Sequence, residues 1–175
     1  GSTALTLTAS QQEAIEDGFT ISAAADNSND GTINWDYTVS ESDLNFLAAD
    51  EVVTAVFTIT VNDGNGGTAS EDVTVTITGS NDVPTLTATD VAGAITEGST
   101  LSDSGSIAFA DLDLTDTPTA TEATSSVSAV LADGTTALTL TTAQQTAIED
   151  AFSISAAAGN SNDGTINWTY EVLES

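Results

Sequence analysis

The sequence predicts an all-β fold: antiparallel β-sandwiches with a short helix, set in tandem. Three observations carry this. Val52–Val61 and Val73–Thr78 alternate apolar and polar residues with period two around Asp63-Gly64-Asn65-Gly66-Gly67, the signature of a hairpin. Short alternating segments bounded by Asp, Gly or Ser recur along the chain. Finally, Ala4–Ser42 recurs as Ala137–Ser175, so a whole structural unit is repeated.

In chain order, Leu5–Thr8 reads as a short strand. Thr8-x-x-Gln11 is a capping-box pattern, echoed by Thr141-x-x-Gln144. Gln11–Asp17 reads as a short helix with Gly18 as its stop. Phe19–Ala23 alternates as a strand, Asp26–Gly31 is a turn, and Thr32–Val39 is a strand with Ile33, Trp35, Tyr37 and Val39 on one face. Leu44, Phe46 and Leu47 cap the core before the Val52–Thr78 hairpin. Gly79-Ser80-Asn81-Asp82-Val83-Pro84 then reads as a joint, because Pro84 lacks the N–H that a sheet ladder needs. Beyond it, Thr85–Ala88, Ala94–Glu97, Gly105–Phe109 and Ser126–Leu131 read as further short strands.

The repeat sets the organisation. Asn27-Ser28-Asn29-Asp30-Gly31-Thr32-Ile33-Asn34-Trp35 returns unchanged at 160–168, an offset of 133 from position 4 to position 137. The chain holds about 1.3 copies of this period, which exceeds solenoid repeats and indicates an array of whole domains. With the joint as boundary, residues 1–81 are the C-terminal part of one sandwich and residues 82–175 the N-terminal part of the next. Two alternatives stay open. Each part is a self-sufficient small sandwich, or the cut halves complete one another by strand exchange between molecules. The sequence starts with Gly and reads as a piece of a longer protein, without a signal peptide.

Composition narrows the function. The 175 residues include 27 Asp and Glu and no Lys, Arg, His or Cys, for a formal net charge of −27. Side-chain salt bridges and disulfides are therefore excluded. Like charges ~4 Å apart at an effective dielectric of about 20 repel by roughly 4 kcal/mol, so clustered carboxylates call for an external cation. Phosphate neutralisation needs Lys or Arg, which excludes ordinary nucleic-acid binding and disfavours anionic membrane surfaces. No apolar run is long enough to predict membrane insertion. Catalytic triads, metal–thiolate sites and phosphoryl-transfer sites lose their usual parts, and no glycosidase-type carboxylate pair stands out, so no enzyme is expected.

In Asp111-Leu112-Asp113-Leu114-Thr115-Asp116, an extended backbone turns Asp111 and Asp113 to one side. They can converge on one Ca2+, which takes six to eight oxygens from carboxylates, carbonyls and amides. Asp26–Gly31 looks like the opening of an EF-hand loop but has Tyr37 where the distal Glu belongs, so a plain Asn/Asp-Gly turn is the better reading. Trp35 and Trp168 alternate in phase with their apolar neighbours and read as core anchors.

Phe57–Gly67, the following Val73–Ile77 strand, Asn81-Asp82-x-Pro84, Gly31–Trp35 and Asp43–Glu51 together resemble bacterial cadherin-like repeats. The closer resemblance is to the VCBS-type extender repeats of large RTX adhesins of Gram-negative bacteria. It is closest over residues 31–113, and Leu138–Ala158 looks like an insertion relative to shorter members. The resemblance implies an Ig/cadherin-like β-sandwich fold and a Ca2+-stiffened joint. By position, Asn81 and Asp82 occupy the linker motif, Asp111 and Asp113 the Asp-x-Asp motif, and Asp50 with Glu51 the acidic linker-facing pair. Asp63 would serve the joint at the far end of its domain, and Glu97 matches the acidic residue of the first strand. Ser80 stands where a further acidic residue is common, so the ion count stays open.

The resulting expectation is an extracellular spacer on the bacterial cell surface, in a parent protein anchored at the outer membrane. Its partners would be neighbouring tandem repeats, and it would hold a ligand-binding region away from the cell for attachment or biofilm formation. The alternative is a carbohydrate- or protein-binding adhesive module, which would present an exposed aromatic patch.

Overall fold

The computed structural model describes residues 5–99 and 101–172. Ala4 and residues 173–175, the outer ends of the repeat, lie outside the described residues. The chain is mostly antiparallel β-structure with two short helices. It divides into two compact units: residues up to Asp82 together with Leu112–Leu114, and Val83–Asp111 together with residues from Thr115 onward.

In the first unit, helix α1 (Ala9–Asp17) starts at Thr8, whose side chain accepts from the Gln11 N–H while Gln11 Oε1 accepts from the Thr8 N–H. This reciprocal cap satisfies two amides that a helix start leaves open. It also explains why Leu5–Thr8 is not a strand: Thr8 is committed to the cap, and Leu5 and Leu7 pack on the core from an irregular lead-in. Gly18 ends the helix in the right-handed region, not as a left-handed stop. A Cβ there would lie 2.8 Å from the Thr38 carbonyl oxygen, so close approach to the next strands is what the glycine permits.

Strands β1 (Phe19–Ala23) and β2 (Ile33–Tyr37) form one antiparallel ribbon. Strands β3 (Val52–Asn62) and β4 (Thr68–Thr78) form a second, with Val52 opposite Thr78 and Asn62 opposite Thr68. Inward Val53, Ala55, Val75 and Ile77 alternate with outward threonines, as the period-two pattern requires. Ile15, Phe46, Leu47 and Ile77 form the buried core, flanked by Tyr37, Leu44 and Val53. The ribbons meet at Phe57, whose ring stacks on Phe19 at 4.2 Å. The Tyr37 hydroxyl donates to the Ile15 carbonyl at 3.0 Å, tying β2 to α1.

In the second unit, strands β5 (Thr85–Ala88), β6 (Ser102–Ala110), β7 (Phe152–Ala156) and β8 (Asp163–Glu171) form one antiparallel sheet in the order β5-β6-β8-β7. Helix α2 (Thr142–Glu149) repeats the α1 capping box at Thr141 and Gln144. Among the described residues, Phe109 and Trp168 are the buried hydrophobics of this unit.

Two expected strands are replaced by locally bonded loops. At 94–97 the strand is reduced to a single bridge residue, Thr96, while the Ala94 N–H donates to Asp103 Oδ2 at 2.7 Å and Thr96–Ser99 closes a turn. At 126–131 only Val130 bridges Ala137, because Asp133 folds the chain back: its carboxylate accepts from the Thr135 and Thr136 N–H groups and from the Thr136 hydroxyl. Short polar side chains offer the backbone an alternative to ladder bonds.

Trp35 departs from the expected core role. It is 51% exposed, whereas its repeat counterpart Trp168 is 6% exposed. β8 is flanked by β7 and β6, and Gly105 and Gly93 lie against the Trp168 ring; among the described residues β2 pairs with β1 alone. Burial at this position depends on the neighbouring strand.

Candidate metal centre

Asp111 directly follows β6 and is fixed there by the adjacent turn. Its N–H donates to the Asn162 carbonyl, and its carbonyl accepts from Asn162 Nδ2, both at 2.9 Å. Beyond it the side chains alternate between inside and outside through Leu114. The apolar ones point outward, with Leu112 56% and Leu114 44% exposed, while Asp111 is 6% and Asp113 0% exposed.

This arrangement inverts the usual preference. Leucines face water and carboxylates face the interior, in a chain with no Lys, Arg or His to compensate them. Burying a carboxylate costs several kcal/mol even after relaxation. A bend at Leu112 and a turn at Leu114-Thr115 bring Asp116 back. One carboxylate oxygen from each of Asp111, Asp113 and Asp116 lies within 4.8 Å of the others. Oxygens sharing a Ca2+ at about 2.4 Å lie at most about 4.8 Å apart, so the triad fits one ion.

Asp82 joins through its backbone, its N–H donating to Asp113 Oδ2 at 2.8 Å. Asn81 turns its side-chain amide onto the Asp82 carbonyl. Glu51 is half-buried; its carboxylate accepts from the Ala48 N–H at 3.0 Å and its carbonyl from the Gly79 N–H at 2.8 Å. Asp50 is exposed in the left-handed region at φ 64°, where a β-carbon is strained.

Asp63 and Glu97 are not in the triad. Asp63 Oδ1 accepts from the Asn65 and Gly67 N–H groups at 2.8 and 2.9 Å, closing the β3–β4 turn. Those two bonds hold its pKa below the ordinary Asp value. Gly64 and Gly66 adopt φ 75° and 100° in that turn, which glycine accepts freely. Glu97 is exposed on the Thr96–Ser99 turn.

Asp116 is the carboxylate that strand periodicity misses. It stands three positions after Asp113, off the period-two face, and only the turn between them returns it. The Thr115 in that turn and the density of Asp in 111–116 are its sequence signals. Asp26–Gly31 is a bracketed turn: Asn27 Nδ2 donates to the Thr32 carbonyl at 2.9 Å and Asn27 Oδ1 accepts from the Thr32 N–H at 3.0 Å. Asn160 repeats both bonds with Thr165.

The class thus defined is an antiparallel, β-rich protein with a partly buried carboxylate triad able to hold a metal ion. Comparison with known protein families, curated proteins and solved structures finds no match. No helix among the described residues is long and apolar enough to cross a membrane.

Proposed function

We propose that the chain is a Ca2+-stabilised structural extender of a cell-surface adhesin, built from Ig/cadherin-like sandwich repeats. The observation that carries this reading is the inverted loop, with Asp111 and Asp113 inside and Leu112 and Leu114 outside. A divalent cation supplies the charge that the side chains lack and makes that burial favourable. The hard oxygen donors suit Ca2+. Asp82, bonded through its N–H to Asp113, links the Asn81-Asp82-x-Pro84 stretch to the ion-binding loop. Glu51 and Asp50 close the turn before β3; in this reading Asp63 serves the joint at the far end of its domain and Glu97 matches the acidic residue of the first strand.

In this role the chain works by mechanics. Successive units of a long polypeptide hold their spacing when ions order their acidic loops, and they slacken when the ions leave. The parent protein is extracellular, anchored at the outer membrane, and carries a distal binding region for attachment or biofilm formation. The test is thermal unfolding of the whole chain in CaCl2, in MgCl2 and in chelator. An upward shift in midpoint with calcium that Asp111→Ala/Asp113→Ala abolishes supports the reading; an unchanged midpoint in all three solutions overturns it.

A second reading, a carbohydrate-binding module, draws on a cavity of about 400 Å³ whose lining includes Trp168, Tyr170, Phe152 and Asp103. Against it, Asp103 already accepts from the Ala94 and Ser104 N–H groups. Titration calorimetry with an oligosaccharide panel separates the two, since the extender reading expects no heat of binding.

A further inference from the structure

The chain contains the same hairpin twice, in two surroundings. The ring pair inside each is nearly superimposable: Phe19–Trp35 at 6.0 Å and 20°, Phe152–Trp168 at 6.1 Å and 21°. What differs is the second edge. β8 is bonded to β6 with Gly105 opposite Trp168, and the Trp168 Nε1–H donates to the Asp90 carbonyl at 2.7 Å. β2, with the same Ile-Asn-Trp sequence, pairs only with β1 among the described residues. The consequences are large: β8 runs Asp163–Glu171 and β2 only Ile33–Tyr37, and tryptophan exposure rises from 6% to 51%.

The bonding pattern identifies the open groups. The Val172 N–H donates to the Leu101 carbonyl at 2.9 Å. Antiparallel alternation carries that pairing to Tyr170, Trp168 and Ile166. The repeat offset maps these residues onto Tyr37, Trp35 and Ile33. On β2, the Thr38 N–H donates to Gly18 and the Thr32 carbonyl accepts from Ala24, both at 2.9 Å, so the even-numbered residues face β1. The N–H and C=O groups of Ile33, Trp35 and Tyr37 therefore point to the other edge.

We propose that this edge of β2 is an acceptor site for a second strand with the sequence of β6, docked antiparallel with its glycine opposite Trp35. The register follows from the paired copy: Asp103 opposite Tyr37, Gly105 opposite Trp35, Ile107 opposite Ile33. Main-chain bonds supply affinity and the glycine supplies selectivity. A Cβ at position 105 would lie 2.6 Å from indole atoms of Trp168, and the same collision arises at Trp35. The β6 of this chain is bonded to β8, so the occupant is a second β6-type strand from outside residues 1–175. The inference is independent of the cation site.

The test uses the whole chain, isotope-labelled, with a synthetic peptide of residues 101–111 and with the same peptide carrying Gly105→Val. The glycine peptide slows amide exchange at Ile33, Trp35 and Tyr37 by about tenfold or more at saturation and shifts Trp35 emission to the blue. The valine peptide does neither. Equal protection by both peptides, or no protection of β2 by the glycine peptide, overturns the proposal.

Discussion

The backbone N–H of Asp82 donates to Asp113 Oδ2 at 2.8 Å, and that carboxylate is fully buried. The bond holds Asp113 through the main chain, so charge and geometry can be separated by Asp113→Asn. In chelator the variant is as stable as the parent or more so, because a buried charge has been removed. In calcium the order reverses. At free calcium 100-fold above its dissociation constant the parent gains about 2.7 kcal/mol, which at about 2–4 °C per kcal/mol raises its midpoint by about 5–10 °C. Calorimetry of both proteins in both solutions measures the crossing; parallel behaviour in the two solutions removes Asp113 from the ligand set.

The turn at Asp133 makes a pH prediction. Its pKa is lowered from 3.8 to about 2, chiefly by the Thr136 hydroxyl, then by the Thr135 and Thr136 N–H groups. A carboxylate with a depressed folded pKa stabilises the fold above its unfolded value and loses that contribution as pH falls through its folded value. The support Asp133 gives the 130–137 turn is therefore complete at neutral pH and is lost progressively as pH falls from 3.8 through about 2. Asp63 and Asp103 are lowered in the same direction by backbone donors. A carboxyl-carbon NMR titration checks this: a midpoint for Asp133 at the ordinary Asp value disproves the bonding described.

The two capping boxes are alike locally but differ in what they support. α1 carries Ile15 at 3% exposure into the core, whereas α2 buries no residue. Thr8→Ala therefore lowers global stability by about 1 kcal/mol. Thr141→Ala frays α2 and leaves the main unfolding transition in place. Denaturant melts paired with amide exchange at the two helices distinguish local from global loss.

Gly105→Val in the whole chain places a Cβ 2.6 Å from the Trp168 indole. Such overpacking against a buried ring costs about 1–3 kcal/mol. The loss registers as a lower melting midpoint together with a weakened Trp168 signal in near-ultraviolet circular dichroism. An unchanged spectrum would falsify the β6–β8 register.

What could be read in advance was local. The β3–β4 hairpin is encoded by alternation and by an Asp-Gly-Asn-Gly-Gly turn whose bonds form within a few residues. The helix starts are written in Thr8 and Gln11 and again in Thr141 and Gln144. Asp111 and Asp113 were placed together by strand periodicity, and Asp116 was not, because a turn breaks that periodicity. Trp35 and Trp168 have the same immediate sequence and opposite burial, which no local pattern distinguishes. The segments at 94–97 and 126–131 carried strand-like residues, but Asp103 takes the Ala94 amide and Asp133 turns the chain just past Leu131 by accepting from the Thr135 and Thr136 amides.

The Asn-bracketed hairpin keeps its ring pair and its turn bonds whether one edge or both are covered. Such a piece is a kinetic module. Its contacts close over a short span of chain, so it assembles on the microsecond scale of isolated hairpins before the distant β6 arrives. The order of events is then set by chain entropy: the local hairpins come early, and the β6–β8 seam, spanning residues 102 to 171, comes last.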